Sequence, residues 1–196
     1  FARMADRESA ASRWAYHRDF GRTRLVVVDS RAARVLQDGG RDMVDADEWA
    51  WIAERTHGDI DHLIIASTLP VFMIHGVHHL EAWNEAVCAG AWGRWAAAAG
   101  EKLRRALDLE HWAAFQRSFT CMVDLLGEVA SRADAPSTIT CIGGDVHHAY
   151  IAAVTLPGTP ASRVHQVVCS PFRNPLSKNE RRVIRLTSSS KTARFT

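Results

Sequence analysis

Thr138-Ile-Thr-Cys-Ile-Gly-Gly-Asp-Val-His-His-Ala-Tyr150 is the stretch that decides how this chain folds. A β-branched, apolar run ends on two glycines. The chain then presents Asp145, His147 and His148 and enters a second apolar run, Tyr150–Val154. A buried strand that ends in a Gly-rich loop sets the loop's side chains at the carboxyl edge of a sheet, where α/β folds bind ligands. In extended backbone Asp145 and His147 flank Val146 on one side, so both face one cavity, and His148 faces the other way. A carboxylate beside an imidazole suits a hard or borderline divalent or trivalent metal. For that purpose Asp145 is ionised and His147 neutral, with His148 supporting the ligands from behind. The competing reading is an unliganded pair in which Asp145 only orients His147.

Working outward, Arg24–Asp29 and His62–Ser67 read as short buried strands. Between them, Gln37–Asp42 is rich in Gly and Asp and reads as a turn. Asp45 or Asp47 caps a helix that runs to about Thr56 and carries Trp49 and Ile52 inward. Pro70 and Gly76 mark a long loop. Leu80–Leu107 reads as helix interrupted at Gly90, Gly93 and Gly100. Trp112, Phe115, Phe119, Met122, Leu126 and Val129 recur at steps of three and four, the stripe of a helix packed on a core. Strands at about 138–142, 149–155 and 164–169 follow, then a loop between Pro171 and Pro175 and a last short helix capped by Ser177. Strands alternating with helices early and succeeding one another late predict an α/β layered sandwich.

The bulk properties narrow the classes. The 196 residues fit one domain, and an apolar fraction of 47% supplies a core. A net charge of +2 argues for neither a nucleic-acid partner nor a membrane surface. No apolar run reaches the ~18 residues that cross a bilayer. No secretory signal is visible, so localisation stays open, with the cytoplasm favoured and export of a longer parent allowed. The chain starts at Phe1 and ends in a polar tail over 187–196, and it reads as part of a longer protein. Cys88, Cys121, Cys141 and Cys169 lack the spacing of a zinc site and read as buried thiols. Neither a GxSxG elbow nor a GxxxxGK[ST] phosphate loop is present.

Two further clusters carry chemistry. Asp29-Ser-Arg-Ala-Ala-Arg34 closes the first strand. A guanidinium there can fork onto phosphate oxygens, or Asp29 can pair with Arg31 or Arg34 and only close the strand end. His75-Gly-Val-His-His-Leu-Glu81 is rich in metal-type ligands. It reads as a loop with one histidine reaching the site, as a surface loop, or as a separate metal centre.

Taken in order, these segments resemble the alkaline phosphatase D (PhoD-like) family of metallophosphatases. The matching pieces are Tyr16-His-Arg-Asp-Phe-Gly21, Leu25-Val-Val-Val-Asp-Ser-Arg31 with Arg34, Asp47-Glu-Trp-Ala-Trp51 and Leu63-Ile-Ile-Ala-Ser-Thr-Leu-Pro70. Glu110-His-Trp-Ala-Ala-Phe-Gln-Arg117, Gly144-Asp-Val-His147 and Val168-Cys-Ser-Pro171 complete the series, which covers roughly 13–176. The resemblance implies a calcineurin-like metallophosphoesterase fold of two facing mixed sheets flanked by helices, here its C-terminal portion. It implies a binuclear or larger site, with calcium and iron (Ca2+ and Fe3+) typical, acting on small-molecule or polymeric phosphate mono- or diesters. Asp145 and His147 would be metal ligands at the reacting centre. Arg31, Arg34 and His79 would hold the substrate, and Asp29 and His148 would support the shell.

The family's first-half ligands, on an Asp-rich strand and the loops after it, have no counterpart in this chain. The chain alone is therefore expected to have little activity. Two rivals remain: a non-catalytic relic that keeps the fold for binding, and a mononuclear hydrolase built on Asp145, His147 and the 75–79 segment. Oligomeric state is left open.

Overall fold

Residues 13–37 and 40–170 are described by the structure, a computed structural model. The fold is α/β, with one mixed six-stranded sheet, a small two-stranded sheet and flanking helices. The chain opens with β1 (Tyr16–Phe20) and β2 (Thr23–Val27), an antiparallel pair turning at Gly21, whose φ is 60°. β3 (Val35–Gln37) and β4 (Gly40–Asp42) form a hairpin where a plain turn was expected. Helix α1 (Ala46–Arg55) starts at Asp45, whose carboxylate accepts from the Glu48 backbone N–H at 2.8 Å. After β5 (His62–Ala66) come α2 (His75–Cys88) and α3 (Arg94–Ala106). A 3-10 turn at Trp112–Ala114 leads into α4 (Gln116–Ser131). β6 (Thr138–Gly143), β7 (Tyr150–Val154) and β8 (Arg163–Val168) finish the described fold. The expected features at Pro171, Pro175 and Ser177 and the 187–196 tail lie outside the described residues.

The strand order is β1-β2-β5-β6-β8-β7, with β2, β5, β6 and β8 parallel. Val27, Ala66, Gly143 and Val168 therefore all end at one edge. Alternate residues of these strands (Val26, Leu63, Ile65, Ile139, Cys141, Val164) are buried against α1, α4 and the Trp112 turn in one apolar core. The expected stripe of α4 is all there: Phe119, Met122, Leu126 and Val129 are buried, while Trp112 and Phe115 fill the core from just before the helix. Gln166 is a polar exception, fully buried. Its Oε1 accepts from the Val71 and Phe72 N–H groups, each at 3.2 Å, and its Nε2 donates to the Cys141 carbonyl at 3.1 Å. One side chain thus satisfies a loop that crosses the sheet.

Among the described residues nothing covers the opposite face of the sheet. Leu25, Val27, Ile64 and Val167 are half-buried there, and Ile142 and Ile151 are exposed. Parallel strands are ordinarily covered on both faces.

Three expectations are corrected here. The long loop after Pro70 ends at His75, where α2 begins, so His75, His78, His79 and Glu81 sit on a helix. Gly100 does not break α3; it lets the helix approach α2, and a Cβ there would lie 3.0 Å from Val87 Cγ1 and 3.2 Å from Cys88 Sγ. Of the four cysteines expected to be buried, only Cys141 is; Cys88 is half-buried, and Cys121 and Cys169 are exposed. Burial raises the Cys141 thiol to about 12, which makes it inert. Among the described residues no helix is long and apolar enough to cross a membrane.

His78 gives the fold a pH dependence. It is buried on α2 with its ring 4.7 Å from that of Phe119. Burial, with the nearby His79 and His75 charges, lowers its pKa from 6.5 to about 4. The unfolded chain therefore binds the extra proton first, and stability is expected to fall as pH drops through that window. The full loss is about 3 kcal/mol. Urea unfolding at successive pH values checks it, and His78→Leu is expected to flatten the decline.

Candidate functional site

The ends of the parallel strands are lashed together by small hydroxyl side chains. Ser30, fully buried just after β2, has its Oγ 2.8 Å from Thr68 Oγ1 and 3.0 Å from Ser67 Oγ. Ser67 Oγ also accepts from Trp112 Nε1 at 3.1 Å. The Gly144 N–H donates to the Thr68 carbonyl at 3.1 Å, and the Cys169 N–H to the Gly143 carbonyl at 3.1 Å. Strands β2, β5, β6 and β8 thus meet in one hydrogen-bonded rim.

The two glycines of the rim are dictated by backbone crowding. A Cβ on Gly143 would lie 2.8 Å from Pro70 N and 3.0 Å from Leu69 C, and one on Gly144 would lie 2.8 Å from the Cys169 carbonyl oxygen. Neither neighbour is a side-chain tip that can swing away. Gly143→Ala is accordingly expected to cost about 1–3 kcal/mol by overpacking, read as a lower urea midpoint with unchanged slope.

Past the glycines the backbone leaves the extended region. Asp145 has φ 61° and His147 φ 58°, two of the three non-glycine residues with positive φ among those described; Asp108 is the third. Each such residue stores local strain, and such strain clusters at functional sites. The loop is held by Val146 N–H donating to Ser170 Oγ at 3.1 Å. The alternation expected from extended backbone fails for this reason. Asp145 and His147 are both exposed, but they are presented by a left-handed loop rather than by a strand. His148 does not simply face away. It is half-buried, stacks on Tyr150 with ring centroids 5.3 Å apart, and its Nδ1 donates to the Val146 carbonyl at 2.6 Å. Its Nε2 is buried and makes no hydrogen bond among the described residues.

Arg31 connects this loop to the rest of the site. One arm donates to Asp145 Oδ2 at 2.7 Å and the other to Glu110 Oε1 at 2.7 Å. Arg34, whose side chain is only 11% exposed, donates to Glu110 Oε2 at 2.7 Å and to the Ser30 carbonyl at 2.7 Å. Burial pushes the Glu110 carboxyl up, but the bonds and charges of Arg34 and Arg31 outweigh it and hold the group below its usual range. Glu110 is thus a permanent anion between two guanidiniums. It belongs to the resemblance segment Glu110–Arg117, yet no reading of the sequence alone marks it as a site residue. Its neighbour His111 is pinned by Glu81 of α2, fully buried, whose Oε1 lies 2.6 Å from His111 Nδ1.

Two expected members stand elsewhere in role or place. Asp29 pairs with neither arginine side chain; its Oδ1 accepts from the backbone N–H groups of Arg31 at 3.0 Å and Ala32 at 2.8 Å. It shapes the turn that aims Arg31. His79 is not gathered with Arg31 and Arg34. It lines a separate cavity of about 290 Å³ with Phe72, Phe119 and Val154–Pro157. Val154 pairs with Val164, near the start of β8, so this cavity lies toward the opposite edge of the sheet.

Asp145 and His147 supply one hard and one borderline donor, which suits one edge of a metal shell. Among the described residues no group of three His, Cys, Asp or Glu side chains comes together to hold an ion. Among the described residues the 75–79 segment is not gathered with Asp145 and His147 into such a group. Comparison of the chain with protein-family models, with curated proteins and with solved structures found no match.

Proposed function

We propose that the carboxyl-edge cluster is the phosphoester site of a metal-dependent hydrolase acting on phosphate mono- or diesters, as the PhoD-like resemblance implies. The observation that carries this reading is the left-handed backbone at Asp145 and His147 in a loop tied by Arg31 to Glu110. Strained, exposed donors beside two fixed guanidiniums are costly to build and serve no packing purpose. The open face of the six-stranded sheet supports the finer fold reading, since it is the surface that a second, facing sheet would cover.

Asp145 and His147 would hold the metal, with further ligands from outside the described residues. A metal held there, calcium or iron as the resemblance implies, would supply Lewis-acid activation of water and positive charge toward a phosphate. The chain's own residues do the rest. Arg31, half-exposed and shared between two carboxylates, can turn its fork onto phosphate oxygens without leaving Glu110. Arg34, locked by Glu110 and Ser30, keeps positive potential fixed at the rim. Glu110 holds both guanidiniums in place before substrate arrives.

The non-catalytic reading draws on the same ion pair: Asp145 is already engaged by Arg31, and among the described residues no third donor stands beside it. Turnover of bis(p-nitrophenyl) phosphate by the intact gene product separates the two. Hydrolysis that stops on chelation and returns with added metal is expected. A purified protein with no turnover under any metal supply overturns the enzyme reading.

A further inference from the structure

A second cavity, about 850 Å³, opens beside the rim and shares Arg34 and Glu110 with it. Its size is that of a small-molecule site. Five arginines line it: Arg34, Arg41, Arg104, Arg105 and Arg117. Four of them are paired with carboxylates. Arg34 is held by Glu110, Arg104 and Arg105 by Glu101 at 2.7 and 2.9 Å, and Arg117 by Asp42.

Arg41 differs. It is half-buried on β4 and lies over the Phe115 ring at 4.9 Å, and no ion pair to a carboxylate is formed among the described residues. From α3 it faces both Arg104 and Glu101; burial first and then the Arg104 charge lower its pKa, against the Glu101, Glu85 and Cys88 charges, which raise it by less. Glu85, across the cavity on α2, is raised by burial, and its Oε2 is taken by the Gln116 N–H at 2.9 Å. A partly desolvated cation that no carboxylate pairs directly among the described residues is an unfavourable arrangement. It becomes favourable when an anion enters.

We propose that this cavity is an anion subsite centred on Arg41, which takes a second phosphate of the same substrate whose scissile phosphoester sits at Arg31 and Asp145. The inference rests on the phosphoester reading of the rim. The shared wall at Arg34 and Glu110 makes the two sites contiguous, so one molecule reaches both. The substrate class narrows accordingly to phosphoesters that carry a second phosphate group.

Isothermal titration calorimetry with pyrophosphate and orthophosphate tests it on the wild-type chain, Arg41→Gln and Arg31→Gln. Arg41→Gln is expected to weaken pyrophosphate by about tenfold or more, the loss of a charge-assisted bond, with orthophosphate changed by less than about twofold. Arg31→Gln is expected to weaken both anions. Pyrophosphate affinity unchanged in Arg41→Gln but reduced in Arg31→Gln overturns the subsite and leaves the phosphoester site standing. Loss in Arg41→Gln with none in Arg31→Gln keeps an anion cavity but removes the rim from it, which overturns the contiguous two-phosphate substrate. Absence of pyrophosphate binding by the wild-type chain overturns the subsite outright. Arg41→Gln is also expected to unfold at the same temperature or higher, because it removes a partly desolvated cation that no carboxylate pairs directly among the described residues. A clear loss of stability instead marks Arg41 as a structural residue and overturns the proposal.

Discussion

Asp145→Ala is expected to lower phosphodiester turnover by the intact gene product about a thousandfold, the loss of several kcal/mol of metal-borne stabilisation. The change removes a ligand and also frees one arm of Arg31, which donates to Asp145 at 2.7 Å. Asp145→Asn separates these effects. Its amide oxygen keeps an acceptor for Arg31, and asparagine tolerates the positive φ of 61° that alanine resists. The rate is expected to stay low in Asp145→Asn, because the missing charge is the metal's. Stability is expected to change little in Asp145→Asn, since the Asp145 side chain is 59% exposed and such pairs contribute at most about 1 kcal/mol, whereas alanine adds about 1–2 kcal/mol of backbone strain at this φ. A wild-type rate in Asp145→Asn would show that Asp145 only positions Arg31.

The second large effect lies away from the rim. His111→Ala is expected to destabilise the fold by about 3–5 kcal/mol, because it strips the ring partner from a fully buried carboxylate, Glu81. The remaining contact, from the His111 backbone N–H, is long at 3.5 Å. Glu81→Gln added to His111→Ala is expected to recover part of the loss, since a neutral amide is less costly to bury than an unpaired charge. Chemical denaturation of the two variants checks this. If the double variant is no more stable than His111→Ala, the cost belongs to lost packing. Because His111 adjoins Glu110, the single variant is also expected to loosen the clamp on Arg31 and Arg34.

The strands were legible because burial leaves a mark in composition: Leu25–Val28, His62–Ala66 and Thr138–Ile142 are apolar runs bounded by turn residues. Asp45 was legible as a cap, and the stripe on α4 as core. The start of α2 was not. Its cap is Ile74, which offers no side-chain oxygen, so Gly76 looked like loop and the helix began unannounced. Gly100 resembled a break because sequence does not reveal that Val87 and Cys88 press on it. At the site, the residue types were readable and their conformation was not. Alternation presumes extended backbone, and the left-handed φ of Asp145 and His147 arises where Pro70 and Cys169 crowd the two glycines. Glu110 escaped notice because a glutamate next to a helix is ordinarily solvated; only the tertiary fold brings Arg31 and Arg34 to it across 79 and 76 residues.

The most direct test of the central claim is metal analysis of the intact gene product after gel filtration, wild type against an Asp145→Ala/His147→Ala double variant. Bound calcium or iron in the wild type, largely lost from a double variant that still unfolds in one cooperative transition, is the expected result. Equal metal content in the two proteins would contradict the assignment of the 145–147 loop as the edge of a metal site.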